Sequence, residues 1–318
     1  MATDKNEQID CVIKSYRLNK EQKLLDKHIK KKDEIKQALK DKYGSDLYNP
    51  FNSGSIAKHA AINRKFDFDE IAPFKRDAFD TLKAMYEDVY DFLNDKYKTE
   101  ATVKKQKVSI GLEFFTDKDG DIVKIDVVPG RELSQDQYDD DEYINLYVYD
   151  QFGNISAGSE RLKTNPKAQI SNIKDHTDKA SLRHNIKLLK VWKVTNGKTV
   201  KSFFLELITI KAFDKKNISG DNWQQLKAVM EYIRDNVKTV SLPDPGNNNN
   251  DVADTLTDYE KSDLSDDMKY MIERIEENSD NIKTYFPINS KHPCEEEKKN
   301  VYSVNDEKAS VPPPSKFV

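Results

Sequence analysis

The stretch GSIAKHAAINRKFDFDEI, in which Gly54-Ser55 precedes Asp67 and Asp69, constrains the fold more than any other part of the chain. Side chains alternate across a β-strand, so Asp67 and Asp69 share one face while Phe66 and Phe68 take the other. The chain therefore needs a strand that buries two phenylalanines in a core and presents two carboxylates to a cleft. Left bare, two such charges about 4 Å apart repel by roughly 4 kcal/mol at an effective dielectric of about 20. Hard cations are the natural counter-charge: Mg²⁺, two ions of it, or Mn²⁺ in its place. Ahead of the strand, Ala57 to Ile62 reads as a short helix whose first turn carries Ser55. Free backbone N–H groups and a hydroxyl there suit the phosphates of a triphosphate, and Gly54 lets the backbone come close. Taken singly, Gly-Ser is an ordinary turn and DFD an ordinary edge strand.

A third carboxylate joins the pieces. Residues 108–115 and 122–129 read as strands joined by the turn Asp117-Lys118-Asp119-Gly120-Asp121, and Asp119-Gly120 is a strong hairpin signal. Asp126 lies inside the second strand among Ile125, Val127 and Val128, where a carboxylate is costly unless paired or metal-bound. A neighbouring strand would set it beside Asp67 and Asp69. The acidic turn itself is not a calcium loop, because its glycine comes at the fourth position and no closing glutamate follows at the twelfth.

The order Gly54-Ser55, Asp67-Phe68-Asp69 and Lys124-Ile125-Asp126-Val127-Val128-Pro129 resembles the core of polymerase-β-like nucleotidyltransferases. It is most similar to the bacterial cGAS/DncV-like branch, the CD-NTases. LRHNIKLLKVWK (182–193) resembles that family's triphosphate-binding helix, and KSFFLE (201–206) its "K-S-aromatic-x-L-E" helix start. The resemblance spans about residues 20–290. It implies an α+β fold: a nucleotidyltransferase lobe with a mixed sheet and a long N-terminal spine helix, then a helical lobe. It also implies an enzyme that condenses NTPs, ATP and GTP foremost, into a cyclic di- or trinucleotide. An effector protein would read this second messenger in anti-phage signalling. By the same resemblance Asp67, Asp69 and Asp126 are catalytic metal ligands, Gly54, Ser55, Lys190 and Ser202 contact the triphosphate, and Phe203 stacks on a base. Two departures stand out. His59-Ala60-Ala61-Ile62 replaces the usual Gly-Thr-Ala-Ile run, and the charged Glu70 follows the second aspartate.

Other readings of these residues stay open. Lys187 and Lys190 also fit a solvated helix face, Phe203 a core position, and Ser202 a helix N-cap. The shared metal core also suits a nucleotidyltransferase acting on RNA, tRNA or protein, or a silent nucleotide-binding scaffold. A net charge of −4 offers no general basic surface for duplex nucleic acid. The two cysteines, Cys11 and Cys294, stand at opposite ends, so neither a disulfide framework nor a zinc site can be built from sequence neighbours. Zinc-dependent DNA sensing is therefore not expected. No apolar run approaches a membrane span and the start is polar, so the expectation is a cytoplasmic protein without a membrane partner.

Along the chain, a polar helix is expected from about Asn19 to Tyr43, another from about Phe74 to Tyr97, and a strand over 144–149. Helices follow near 178–194, 202–213, 221–237 and 258–278, with a flexible excursion at Pro243 to Asn250. The expected division is 1–165 for the catalytic lobe with its spine helix and 166–294 for the helical lobe. A disordered tail, 295–318, is a candidate contact for regulatory proteins.

Overall fold

A computed structural model describes residues 2–64, 66–150 and 160–294; the expected tail at 295–318 lies outside them. The chain opens with α1 (Lys5–Ser15) and α2 (Gln22–Tyr43), then β1 (Phe51–Asn52), α3 (Gly54–Ala57), β2 (Phe68–Phe74) and α4 (Leu82–Tyr97). Next come β3 (Ala101–Lys105), β4 (Ile110–Phe114), β5 (Lys124–Glu132), α5 (Tyr138–Asp141), β6 (Ile144–Tyr147) and β7 (Arg161–Thr164). The remainder is α6 (Pro166–Lys174), α7 (Lys179–Thr195), α8 (Ser202–Lys215), α9 (Asn222–Asn236), β8 (Pro243–Asp244), β9 (Asn247–Asp251), α10 (Asp258–Glu277) and α11 (Ile282–Tyr285).

The DFD stretch leads into β2, an interior strand of a mixed seven-stranded sheet ordered β1-β2-β5-β4-β3, with β6 and β7 continuing from β5. β2 and β5 run parallel and place Asp69 opposite Asp126, while β4 runs antiparallel to β5 and places Gly111 there. Phe68, Ala72 and Phe74 face a core shared with Ile35 and Leu39 of α2 and with Met85, Val89 and Leu93 of α4. A strand buried on both faces reads as a nearly continuous apolar run, and β2 is buried at nearly every position. This is why β2 carries on through Ala72-Pro73-Phe74, where the sequence suggested a helix beginning at Phe74. That helix starts at Leu82 instead, capped by the Thr81 side chain accepting from the Ala84 N–H.

A second core gathers Leu182, Ile186 and Leu189 of α7, Phe204 and Ile208 of α8, Met230 and Ile233 of α9, and Met268 of α10. Ile9, Val12 and Ile13 of α1 belong to it too, so packing puts α1 with the helices, although the sequence reading grouped it with residues 1–165. Cys11 of α1 and Cys294 form a disulfide across a separation of 283 residues, with their Cα atoms 5.4 Å apart. Sequence neighbours offered no disulfide framework; the α1 packing closes the distance between the two ends. The stretch expected to be a flexible excursion is instead the β8–β9 hairpin. It is hooked to α6 by the Gln169 side chain donating to Asp244 at 2.8 Å.

Candidate active site

One cavity of about 570 Å³ is lined by every residue singled out from the sequence: Gly54, Ser55, Asp67, Asp69, Asp126, Lys190, Ser202 and Phe203. That size lies within the range of small-molecule sites. Four separate stretches supply these residues, and strand register brings the aspartates together. Asp67 precedes β2, Asp69 lies within it, and Asp126 is its neighbour on β5. Burial, then the adjacent Asp126 and Asp67 charges, push the Asp69 carboxyl up to about 6. Burial and Asp67 raise Asp126 as well, while Gln106 opposes the rise. The three oxygen-bearing side chains thus hold repelling charge that a hard divalent cation would neutralise.

Gly54 is required at its position for two reasons. Its φ is +64°, and a Cβ there would lie 1.8 Å from Asp69 Oδ2. The Gly-Ser turn therefore lies directly on the second carboxylate, tied down by the Ser53 N–H donating to the Asp69 carbonyl at 2.7 Å. The helix bearing Ser55 spans only Gly54–Ala57, earlier and shorter than the expected 57–62. Glu70 points to the other side of the sheet and is fully buried, with neither carboxylate oxygen hydrogen-bonded. Burial pushes its carboxyl up to about 7.

Lys58 and Glu206 complete the cavity wall, and the sequence reading assigned neither a role. Glu206 is buried and accepts from Lys58 Nζ at 2.8 Å and Lys190 Nζ at 2.7 Å. Lys190 Nζ also donates to the Ala60 carbonyl at 3.0 Å. Burial alone would raise the Glu206 carboxyl, but the two ammoniums outweigh it and hold it down at about 2. Two positive charges thus meet one negative charge at the wall. Lys58 Nζ also sits 4.7 Å from the centroid of the Phe203 ring, covering one of its faces. Ser202 is the first residue of α8, with Lys201 at the N-cap, so its hydroxyl does not cap; it pairs with Lys193 Nζ at 3.1 Å. Lys58 left no local signal, because its role depends on a partner 148 positions away. Glu206 was visible within the KSFFLE motif.

The acidic turn is closed by a lysine. Among the described residues, the trio of carboxylates gathered within 4.8 Å of one another is Asp117, Asp119 and Asp121. Lys27 Nζ lies at 2.6, 2.7 and 2.7 Å from the three, where a metal ion would sit. Among the described residues, no helix is long and apolar enough to cross a membrane.

No family model and no curated protein matches the sequence. Solved structures do match. CdnC from E. coli MS115-1, solved with ATP, superposes at TM-score 0.64 with 19% identity, over 85% of this chain and 91% of that one. The CdnE cyclic dinucleotide synthase of Elizabethkingia meningoseptica, solved with GTP and Apcpp, gives 0.57 and 17% over 76% and 90%. The DncV cyclic AMP-GMP synthase of Vibrio cholerae gives 0.59 and 15% over 78% and 70%. At these identities the likeness is one of fold, and the chain has the α+β fold of the CD-NTases.

Proposed function

We propose that this protein is a nucleotidyltransferase that condenses NTPs, ATP and GTP foremost, into a cyclic di- or trinucleotide with release of pyrophosphate. The observation that carries the reading is the meeting of Asp67, Asp69 and Asp126 with the Gly54-Ser55 turn and the Lys58–Glu206–Lys190 group in one cavity. Its structural neighbours, two of them cyclic nucleotide synthases, support the class. Asp67 and Asp69 would hold one divalent ion, and Asp126 would help hold a second. When bound, such ions neutralise the triphosphate and make the acceptor hydroxyl more acidic.

The chain's own groups do the rest. The Gly54-Ser55 backbone and hydroxyl seat the triphosphate next to Asp69, and the surplus positive charge of Lys58 and Lys190 draws it in. Asp126, on the adjacent strand, is placed to take the proton of the attacking ribose hydroxyl. The Phe203 ring, which lines the cavity, supports a base. One further transfer for a dinucleotide, or two for a trinucleotide, closes the ring, with the linear intermediate reversed in the same cavity and one pyrophosphate released at each transfer. In this reading the lobes divide near residue 165, the product acts through an effector in anti-phage signalling, and regulatory proteins engage the C-terminal segment. Changing Asp67 and Asp69 together to alanine should abolish NTP consumption; full turnover in that variant would refute the site.

A further inference from the structure

Asp126 has a different neighbour on each side. On β2 it faces Asp69, a like charge; on β4 it faces Gly111, which has no side chain. The amide of Gln106 fills the space this glycine leaves open. Its Nε2 donates to Asp126 Oδ1 at 3.2 Å. A Cβ on residue 111 would fall 2.3 Å from that Nε2 and 3.1 Å from that Oδ1.

The amide is itself held. Ser109 Oγ donates to Gln106 Oε1 at 2.7 Å, which turns the NH₂ end toward Asp126. The Gln106 backbone is fixed separately. Its N–H meets the Ser109 carbonyl at 2.9 Å and the Tyr86 hydroxyl at 3.0 Å. The Tyr86 O–H is shared between the Gln106 and Ser109 carbonyls, each at 2.8 Å. Tyr86 is fully buried and stacks on Tyr149. The Gln106 backbone is thus held without its side-chain NH₂, which is left to serve Asp126.

We propose that Gln106 is the positioning residue of the third carboxylate: it engages one oxygen of Asp126 and so fixes the direction in which the other faces the cavity. This rests on the nucleotidyl-transfer reading. A ligand carboxylate anchored by an outer hydrogen bond binds metal better than a freely rotating one, typically by about 10–100-fold.

Gln106→Met isolates the amide, and Gly111→Ala closes the space that the amide occupies. Gln106→Met keeps length and backbone bonds but cannot donate. Gly111→Ala leaves Gln106 intact but pushes on the far end of its side chain and, at 3.1 Å, on Asp126 Oδ1 itself. Mn²⁺ binding is followed by electron paramagnetic resonance with a non-hydrolysable ATP analogue, alongside NTP turnover against Mg²⁺ concentration. Both variants should weaken the weaker Mn²⁺ site about tenfold or more and lower kcat similarly. KM for NTP and the thermal midpoint should stay near wild type. Wild-type Mn²⁺ binding with both variants unchanged overturns the role of Gln106 alone. A wild-type protein that neither binds Mn²⁺ nor consumes NTPs overturns the parent reading and this one with it.

Discussion

Replacing Glu206 with glutamine should destabilise the protein by about 3 kcal/mol at pH 7, and a triphosphate should restore much of the loss. The carboxyl is held at about 2 against an ordinary 4.5, a gap worth about 1.4 kcal/mol per pH unit. Because the folded value is the lower one, the stabilisation is complete above pH 4.5 and fades as pH falls toward 2. At pH 7 it is fully present, and its size agrees with the roughly 3–5 kcal/mol lost when one partner of a buried ion pair is removed. The side chain is only 4% exposed, so solvent screening does not reduce the figure. In the variant, Lys58 and Lys190 face each other across a neutral amide, and bound phosphates supply the missing negative charge. Urea unfolding at pH 7, with and without Mg²⁺-ATP, reads both effects, the nucleotide shift being larger in the variant than in the wild type. Lys190→Met should cost less, because Lys58 still pairs. A Glu206→Gln protein within 1 kcal/mol of wild type, or one no better stabilised by nucleotide, would refute the reasoning.

Other consequences are as direct. Glu70 binds its proton more tightly folded than unfolded, so it lowers stability increasingly as pH rises from 4.5 to about 7. Glu70→Met should raise unfolding stability by up to about 3 kcal/mol at pH 8 and far less at pH 5, and equal gains at both would contradict the assignment. Gly54→Ala combines a strained backbone with overlap against Asp69 Oδ2; NTP consumption should fall at least about tenfold with the circular dichroism spectrum unchanged. Cys11→Ser should lower the stability of oxidised protein by about 2–5 kcal/mol and leave reduced protein unaffected. Intact mass after alkylation identifies the redox state in each case.

Much of the site could be read from the sequence because its logic is local. Alternation placed Asp67 and Asp69 together, and the cost of an aspartate between Ile125 and Val127 marked Asp126 before the register set it opposite Asp69. What escaped depends on distant contacts. Lys58 is one lysine among many until Glu206 arrives from α8, and Gln106 is one residue of a polar turn until Gly111 opens the space beside Asp126. The Cys11–Cys294 pair requires the packing of α1. Pro243 to Asn250 carries every sign of a loose loop, yet Asp244 bonds to Gln169 and makes it a cavity wall. β2 ran past its expected end because a strand buried on both faces loses the alternation that marks a half-buried one.

The central claim is tested most directly by incubating the protein with all four NTPs and Mg²⁺, treating the products with phosphatase and weighing what survives by mass spectrometry. The account predicts a phosphatase-resistant cyclic di- or trinucleotide together with pyrophosphate, both absent when Asp67 and Asp69 are alanine. Products that remain linear and lose their terminal phosphates, or a cyclic product made equally well by the double variant, would contradict it.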